Sequence, residues 1–151
     1  MSARMLCLMF ISMLSLSMSG LSLAIGAEKA HSLIREQKPE LLGNGKELVS
    51  LYYFGQSQVA GSGIEQSVVG LERIGDDYLP IRWLLVFENE TLLGWYYPSD
   101  VFPKQIAAGK LIFPKGTGIS NVNLLPKPPM VMNIKEKQIP FNLPDSPVFS
   151  D

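Results

Sequence analysis

The sequence predicts a mainly β fold, a small antiparallel β-sandwich or partly open barrel with a short helix and a loose N-terminal arm. Two observations support this prediction. Apolar and polar side chains alternate along several short runs, which is the pattern of half-buried strands, and turns rich in Gly, Asn and Asp separate these runs. The densest apolar and aromatic stretch is segment 78–100, which predicts a central β-hairpin with its tip at Asn89 and Glu90. We expect the rest of the sheet to form around this hairpin.

The first segment, 1–27, has the composition of a secretory signal peptide. Arg4 supplies one positive charge, a long apolar and serine-rich run follows, and small residues stand near Gly26 and Ala27, where a signal peptidase would cut. An uncleaved membrane anchor is the alternative, because the run from Met5 onward is uncharged and about long enough to span a bilayer. Cys7 lies too early in the run to indicate a lipoprotein. We therefore expect a periplasmic or secreted protein with no membrane span after cleavage.

The remaining segment, 28–151, is long enough for one domain with a single core. It contains no cysteine, since the one cysteine of the chain is Cys7, so it can form neither a disulfide nor a zinc–thiolate site. An exported domain without disulfides fits a bacterial periplasm better than a eukaryotic extracellular space. The net charge of −1 gives no electrostatic indication of nucleic-acid binding.

This domain divides into three parts. Segment 28–45 predicts an N-terminal arm or short helix, whose apolar face of Leu33 and Ile34 is too narrow to hold it against a core by itself. Segment 46–125 predicts the β-domain. Segment 126–151 is rich in proline and predicts a tail that can include an edge hairpin.

The β-domain contains several predicted strands and one helical turn. The helical turn covers Phe102 to Ala108 and ends at Gly109, because Pro103 stands early and glycine commonly stops a helix. The predicted strands are 47–54, 68–74, the two arms of the central hairpin, 110–114 and 119–125, and the edge hairpin in the tail pairs 131–134 with 138–141.

The register of the central hairpin has two solutions. A three-residue loop places Trp83, Leu85 and Phe87 on one face with Leu93, Trp95 and Tyr97, whereas a loop one residue shorter pairs them with Leu92, Gly94 and Tyr96. We prefer the first solution because it gathers the large side chains into the core and leaves Arg82, Leu84 and Tyr96 on the other face. Gly94 then marks a bulge or a close backbone approach.

The aromatic residues of the central hairpin are the one compositional signal with functional potential. Core packing and cross-strand pairing are their commoner use. An exposed aromatic platform, which could anchor a protein partner or stack on a sugar ring, is the alternative. The candidate binding residues are Arg82, Trp83, Trp95 and Tyr96.

Residue types that carry catalysis or bind metals form no recognisable pattern. His31 is the only histidine, which excludes a histidine-ligated metal centre and makes a solvated side chain the simplest interpretation. Around Ser57 the nucleophile-elbow motif lacks its last glycine, and around Ser62 the glycines are too few for a nucleotide-binding loop. We therefore predict no catalytic residue, no metal and no cofactor.

The leading hypothesis is an exported, non-enzymatic interaction protein, for example an accessory subunit of a bacterial envelope assembly, that binds another envelope or secreted protein. The alternative is a glycan-binding module that uses exposed aromatic residues of the central hairpin. A hydrolase that uses Ser57, Ser62 or a pair of carboxylates is a third and weaker hypothesis.

Overall fold

The computed structural model describes residues 18–58 and 60–149, with side chains from Gly26 onward, and it confirms the mainly β class. The start of the predicted signal segment and Cys7 lie outside the described residues. The elements are α1 (Met18–Gln37), a 3₁₀ helix (Pro39–Leu42), β1 (Leu48–Gln58), β2 (Glu65–Ile74), β3 (Pro80–Glu88), β4 (Thr91–Tyr96), β5 (Gln105–Ala107), β6 (Lys110–Ile112), β7 (Val122–Asn123), β8 (Val131–Ile134) and β9 (Lys137–Asn142).

The strands form two antiparallel sheets. The main sheet has six strands in the order β1-β2-β3-β4-β9-β8, and the small sheet has three in the order β5-β6-β7. The C-terminal hairpin β8–β9 confirms the hairpin expected in the proline-rich tail. It belongs to the main sheet, because β9 pairs with β4 through Trp95 opposite Asn142 and Tyr96 opposite Phe141.

Both faces of the main sheet are covered. The small sheet packs on one face, where β8 and β9 of the main sheet contribute Met132, Ile139 and Phe141 to the shared core, and α1 with the 3₁₀ helix packs on the other. The five consecutive residues Trp83 to Phe87 are therefore all buried. Burial on both faces explains why this strand is almost continuously apolar and does not alternate cleanly.

Segment 28–45 forms the second half of α1 and the 3₁₀ helix, which is the helical alternative of the expectation for this part. The sequence predicts an apolar face too narrow to hold this segment against a core by itself. In the structure Ala30, Ile34 and Leu41 are nevertheless buried against the main sheet, so the segment is firmly packed and is not a loose arm. The Gln37 side chain adds polar attachment at the tip of the central hairpin, since it accepts a hydrogen bond from the Leu92 N–H at 2.7 Å and donates one to a backbone carbonyl there. No helix in the described part of the chain is long and apolar enough to cross a membrane.

The central hairpin combines the two predicted registers. Next to the tip Phe87 lies opposite Leu92, which is the register of a two-residue loop, and Asn89 and Glu90 both adopt the positive φ angles of such a turn. A shift between Val86 and Phe87 then inserts Leu93 as an extra residue, so that Leu85 lies opposite Trp95. The bulge predicted at Gly94 is thus present.

The helical turn predicted from Phe102 to Ala108 is wrong. This segment contains β5, which pairs with β6 through a tight turn at Ala108 and Gly109, whose φ angles are 47° and 71°. Gly109 does not stop a helix but supplies a positive φ for the turn between two strands. Ile106 and Leu111 lie opposite each other and are both buried on the main sheet, so packing favours strands over a single helical turn.

Candidate functional site

The aromatic candidates of the central hairpin lie inside the protein. Trp83 and Tyr96 are 0 % exposed and Trp95 is 1 % exposed. Trp83 and Trp95 pack under α1, and Tyr96 packs under the small sheet. Core packing is therefore the correct interpretation of these rings, and the exposed aromatic platform is wrong, because the face expected to stay open is covered. A glycan cannot stack on any of these three rings in this structure.

Tyr96 is fixed by a hydrogen bond as well as by packing. Its hydroxyl donates to the Pro129 carbonyl at 2.7 Å, and its ring lies 4.9 Å from the Phe141 ring. Burial raises the pKa of Tyr96 far above the usual value of a tyrosine. The side chain is thus a permanent hydrogen-bond donor that ties the segment before β8 to the main sheet.

Arg82 is the only one of the four candidates that reaches solvent. Its Nε donates to the Glu72 carboxylate on the neighbouring strand, and its guanidinium lies 5.9 Å from the Phe102 ring centre. These contacts hold Arg82 along the sheet surface. Its role as a binding residue remains a prediction.

The end of the main sheet that carries the β2–β3 turn presents the most exposed apolar side chains next to cavities. We call Tyr78 and Leu79, with the cavities on either side of them, the β2–β3 surface. Tyr78 is 84 % exposed and Leu79 is 65 % exposed. Tyr78 is the most exposed aromatic side chain of the described residues. Large apolar side chains that stay exposed beside a concave surface indicate a candidate interaction site.

The β2–β3 turn is locally fixed. The Tyr78 N–H donates to the Gly75 carbonyl, and the Leu79 N–H donates to the Asp77 carboxylate, both at 3.1 Å. Tyr78 adopts a φ of 59°, a left-handed conformation that costs a residue with a side chain about 1–2 kcal/mol. Such strained conformations occur often at functional sites. Here the conformation directs the chain so that two apolar side chains in succession stay in solvent.

Two cavities flank the turn. The first has a volume of about 460 Å³ and is lined by Asn44, Lys46, Glu47, Arg73, Gly75, Asp76, Asp77 and Ile81. The second has a volume of about 290 Å³ and is lined by Asp77, Leu79, Pro80, Ile81, Arg82, Tyr97, Pro98, Ser99 and Asp100. Because the two cavities share Asp77 and Ile81, they form adjacent concave surfaces at one end of the sheet.

Arg73 is a buried charge beside the first cavity. It is 3 % exposed, its guanidinium lies 4.9 Å from the Trp83 ring centre, and it donates to the Glu40 carbonyl at 3.1 Å. Its Nε has no hydrogen-bond partner within the described part of the chain. Arg73 therefore connects the 3₁₀ helix to the main sheet through a cation–π contact and backbone carbonyls.

The charges around the first cavity have both signs. Arg73 and Lys46 are positive, whereas Glu47, Asp76 and Asp77 are negative. Hydrogen bonds from the backbone, first its own and then those of Asn44 and Lys46, lower the pKa of Glu47, and the Arg73 charge acts in the same direction.

The catalytic candidates do not assemble. Ser57 lies within β1, and its Oγ accepts a hydrogen bond from the Gly109 N–H at 2.8 Å, so it fixes the β5–β6 turn. His31 lies on α1, on the opposite side of the main sheet from the small sheet that Ser57 contacts. Across residues 18–58 and 60–149 no group of three or more His, Cys, Asp or Glu side chains could hold a metal ion.

Sequence reasoning missed the β2–β3 surface. The signal available was a Gly-Asp-Asp turn followed directly by Tyr78 and Leu79, two large apolar residues where the turn should be polar. The position of Arg73 had no comparable signal, since its burial depends on the 3₁₀ helix that packs over it.

Comparisons of the chain with protein-family models, with curated proteins and with solved structures found no match.

Proposed function

We propose that the protein is an exported, non-enzymatic interaction protein that binds another envelope or secreted protein through the β2–β3 surface. The observation that carries the proposal is the pair Tyr78 and Leu79, exposed on a strained turn between two cavities. An aromatic anchor beside pockets is the usual centre of a protein–protein interface. Export is inferred from the composition of segment 1–27, and a role as accessory subunit of a bacterial envelope assembly follows from the two inferences together.

The proposed interface has an anchor and two receiving surfaces. Tyr78 and Leu79 would enter an apolar depression of the partner, while the cavities receive side chains from the partner's surface. The mixed charges of Lys46, Glu47 and Asp76 would lie at the rim, where they favour orientation and rate of association more than affinity. Interface centres are depleted of charge and enriched in tyrosine, which agrees with this arrangement.

The test compares a variant of the anchor with a matched control. Tyr78→Asn with Leu79→Ser removes both apolar side chains, and asparagine tolerates the left-handed conformation, so the fold should be unaffected. Met130→Ser with Leu143→Ser removes two apolar side chains that are also exposed but lie at the β8–β9 side of the molecule. Both variants are made in the full chain.

Tagged wild type and both variants are used to capture partners from envelope extracts, and each recovered protein is purified and titrated. We expect one identified partner whose dissociation constant rises at least tenfold, about 1.4 kcal/mol, with the anchor variant and not with the control. Equal binding by the anchor variant would contradict the β2–β3 surface as the interface. Failure to obtain any partner that binds in titration would contradict the proposed function itself.

A truncation at Pro126 is not a suitable variant for this test. It would remove β8 and β9, whose buried side chains Met132, Ile139 and Phe141 belong to the core on the small-sheet face. Loss of binding would then report unfolding.

A further inference from the structure

Strand β1 has a long unpaired edge. It is the first strand of the main sheet and pairs with β2 alone among the described strands. Its eleven residues, Leu48–Gln58, include no charged residue and no proline. Edge strands normally carry such residues to prevent pairing with another chain. The edge of β1 is therefore open to the addition of a strand.

The regular part of this edge is short and well defined. A register shift between Tyr53 and Gln56, with Gly55 at a φ of 105°, interrupts the pairing with β2. This irregularity leaves Leu48 to Tyr53 as the regular unpaired edge. The apolar side chains along it are only partly buried or exposed, whereas those at the centre of β3 are fully buried.

Two side chains of the edge stand out by their exposure. Leu48 is 66 % exposed and Tyr52 is 42 % exposed, and with Ser50 between them they lie on the small-sheet face. Tyr52 is held in place, since its ring lies 5.4 Å from the Phe102 ring and its hydroxyl donates to Glu72 at 3.3 Å. It presents a fixed aromatic surface next to open backbone groups.

The edge is complementary to itself. When two copies of β1 run antiparallel with Ser50 opposite Ser50, Leu48 of each copy lies opposite Tyr52 of the other, and Val49 lies opposite Leu51. Directly opposite residues of antiparallel strands share a face, so this register joins the two most exposed apolar side chains of the strand in both halves of the pair.

The flanking charges do not oppose this pairing. In the same register Glu47 faces Tyr53 and Lys46 faces Phe54, so no charged residue lies opposite one of like sign. A twofold axis through the Ser50 pair also makes the interface isologous, which is the commonest arrangement of homo-oligomers.

We propose that β1 pairs antiparallel with the β1 of a second copy of this chain, so that the two six-stranded main sheets become one continuous sheet across a twofold axis at Ser50. This inference concerns a different surface from the β2–β3 surface and does not depend on the proposed function. The contact along one strand edge is smaller than the roughly 1,200 Å² buried in stable interfaces, so the dimer is of the weak, concentration-dependent class.

The first test uses single cysteines as reporters of register. In the full chain with Cys7→Ser, we introduce Ser50→Cys, Leu51→Cys or Gln58→Cys. In the proposed register only the two Ser50→Cys side chains lie directly opposite one another. The two Leu51→Cys residues are offset by two positions along the strands, which separates their Cα atoms by more than the roughly 7 Å that a disulfide tolerates. Mild oxidation should therefore give a disulfide dimer at least tenfold faster with Ser50→Cys than with the other two.

The second test exchanges charges across the proposed pair. Leu48→Glu with Tyr52→Lys places opposite charges face to face twice in the dimer, whereas Leu48→Lys with Tyr52→Lys places like charges there, and both variants carry the same lysine beside Glu72. We expect sedimentation to show dimer formation by wild type and by the opposite-charge variant, and monomers only for the like-charge variant, with circular dichroism unchanged in all three.

Three results would overturn the proposal. The first is a wild type that stays monomeric at every concentration up to about 1 mM and cysteine variants that show no preferred cross-link. The second is equal cross-linking by all three cysteine variants. The third is cross-linking of Ser50→Cys only to a different protein when envelope extract is present. None of them affects the test of the β2–β3 surface.

Discussion

Replacement of Gly94 by alanine should detach the C-terminal hairpin from the main sheet. Gly94 has a φ of 151°, and a Cβ atom at this position would lie closer than 3.0 Å to the Asn142 carbonyl oxygen and 2.8 Å from the Phe141 ring. The obstruction includes backbone, so no side-chain rotation can relieve it. β4 and β9 would have to separate at the pairs of Trp95 with Asn142 and Tyr96 with Phe141.

The expected loss of stability combines two contributions. A positive φ costs alanine about 1–2 kcal/mol, and an additional carbon in a filled space costs about 1–3 kcal/mol more. We therefore expect the free energy of unfolding to fall by about 2–5 kcal/mol, which corresponds to a melting temperature lower by roughly 5–20 °C in a domain of this size. Urea unfolding followed by circular dichroism measures the change.

Gly45→Ala is the matched control. Gly45 also has a positive φ, 84°, but no atom lies within 4 Å of the Cβ position. It should lose only the conformational contribution of about 1–2 kcal/mol. If Gly94→Ala proved no more destabilising than Gly45→Ala, the close packing of β9 on the bulge of the central hairpin would be refuted.

Two further predictions concern buried polar groups. Because the pKa of Tyr96 is raised in the folded protein, its contribution to stability is present below the unfolded-state pKa of about 10 and is lost as the pH rises above that value. Unfolding of wild type and Tyr96→Phe should show a steeper alkaline decline for wild type, and parallel curves would contradict the assignment. Gln66 is 1 % exposed and its amide has no hydrogen-bond partner within the described residues, so Gln66→Met should raise the free energy of unfolding by about 1–2 kcal/mol. Exposed Gln138→Met should change it by less than about 0.5 kcal/mol, and a destabilised Gln66→Met would show that the amide has a stabilising role.

The sequence carried the local features of the main sheet well. The tip at Asn89 and Glu90 and the bulge at Gly94 both depend on backbone geometry that particular residues favour, and both were predicted correctly. The preferred register, that of a three-residue loop, is correct beyond the bulge, where Leu85 lies opposite Trp95. It is wrong next to the tip, where Phe87 lies opposite Leu92 as in a two-residue loop. Single-strand patterns contain no information on where such a shift occurs.

The burial of the aromatic candidates could not be predicted, because it depends on contacts distant in sequence, whereas the turn at Tyr78 and Leu79 has a local signal in the sequence. Tyr96 lies on a face that the sequence alone allowed to be open, and it is covered by chain from Pro129 and Phe141. Segment 105–107 is too short for its periodicity to separate a helical turn from a strand, so only the packing of Ile106 decides the matter. Tyr78 begins the aromatic segment 78–100, but it lies in the turn just before β3, so among the described aromatic residues it is the most exposed.

Burial of both faces of the main sheet limits where this protein can bind anything. The rings of Trp83, Trp95 and Tyr96 stabilise the fold and cannot also receive a ligand without opening it, which would expose the core. Within the main sheet, the parts that remain accessible to a partner are its ends and its edges, where backbone groups and turns are exposed. The β2–β3 surface is an end that offers an aromatic anchor, and the edge of β1 offers unpaired backbone without protective charge. Since the two lie on different parts of the molecule, a self-paired dimer would present two β2–β3 surfaces to partners. Dimerisation would then raise the avidity for a partner that carries two or more copies of the matching site.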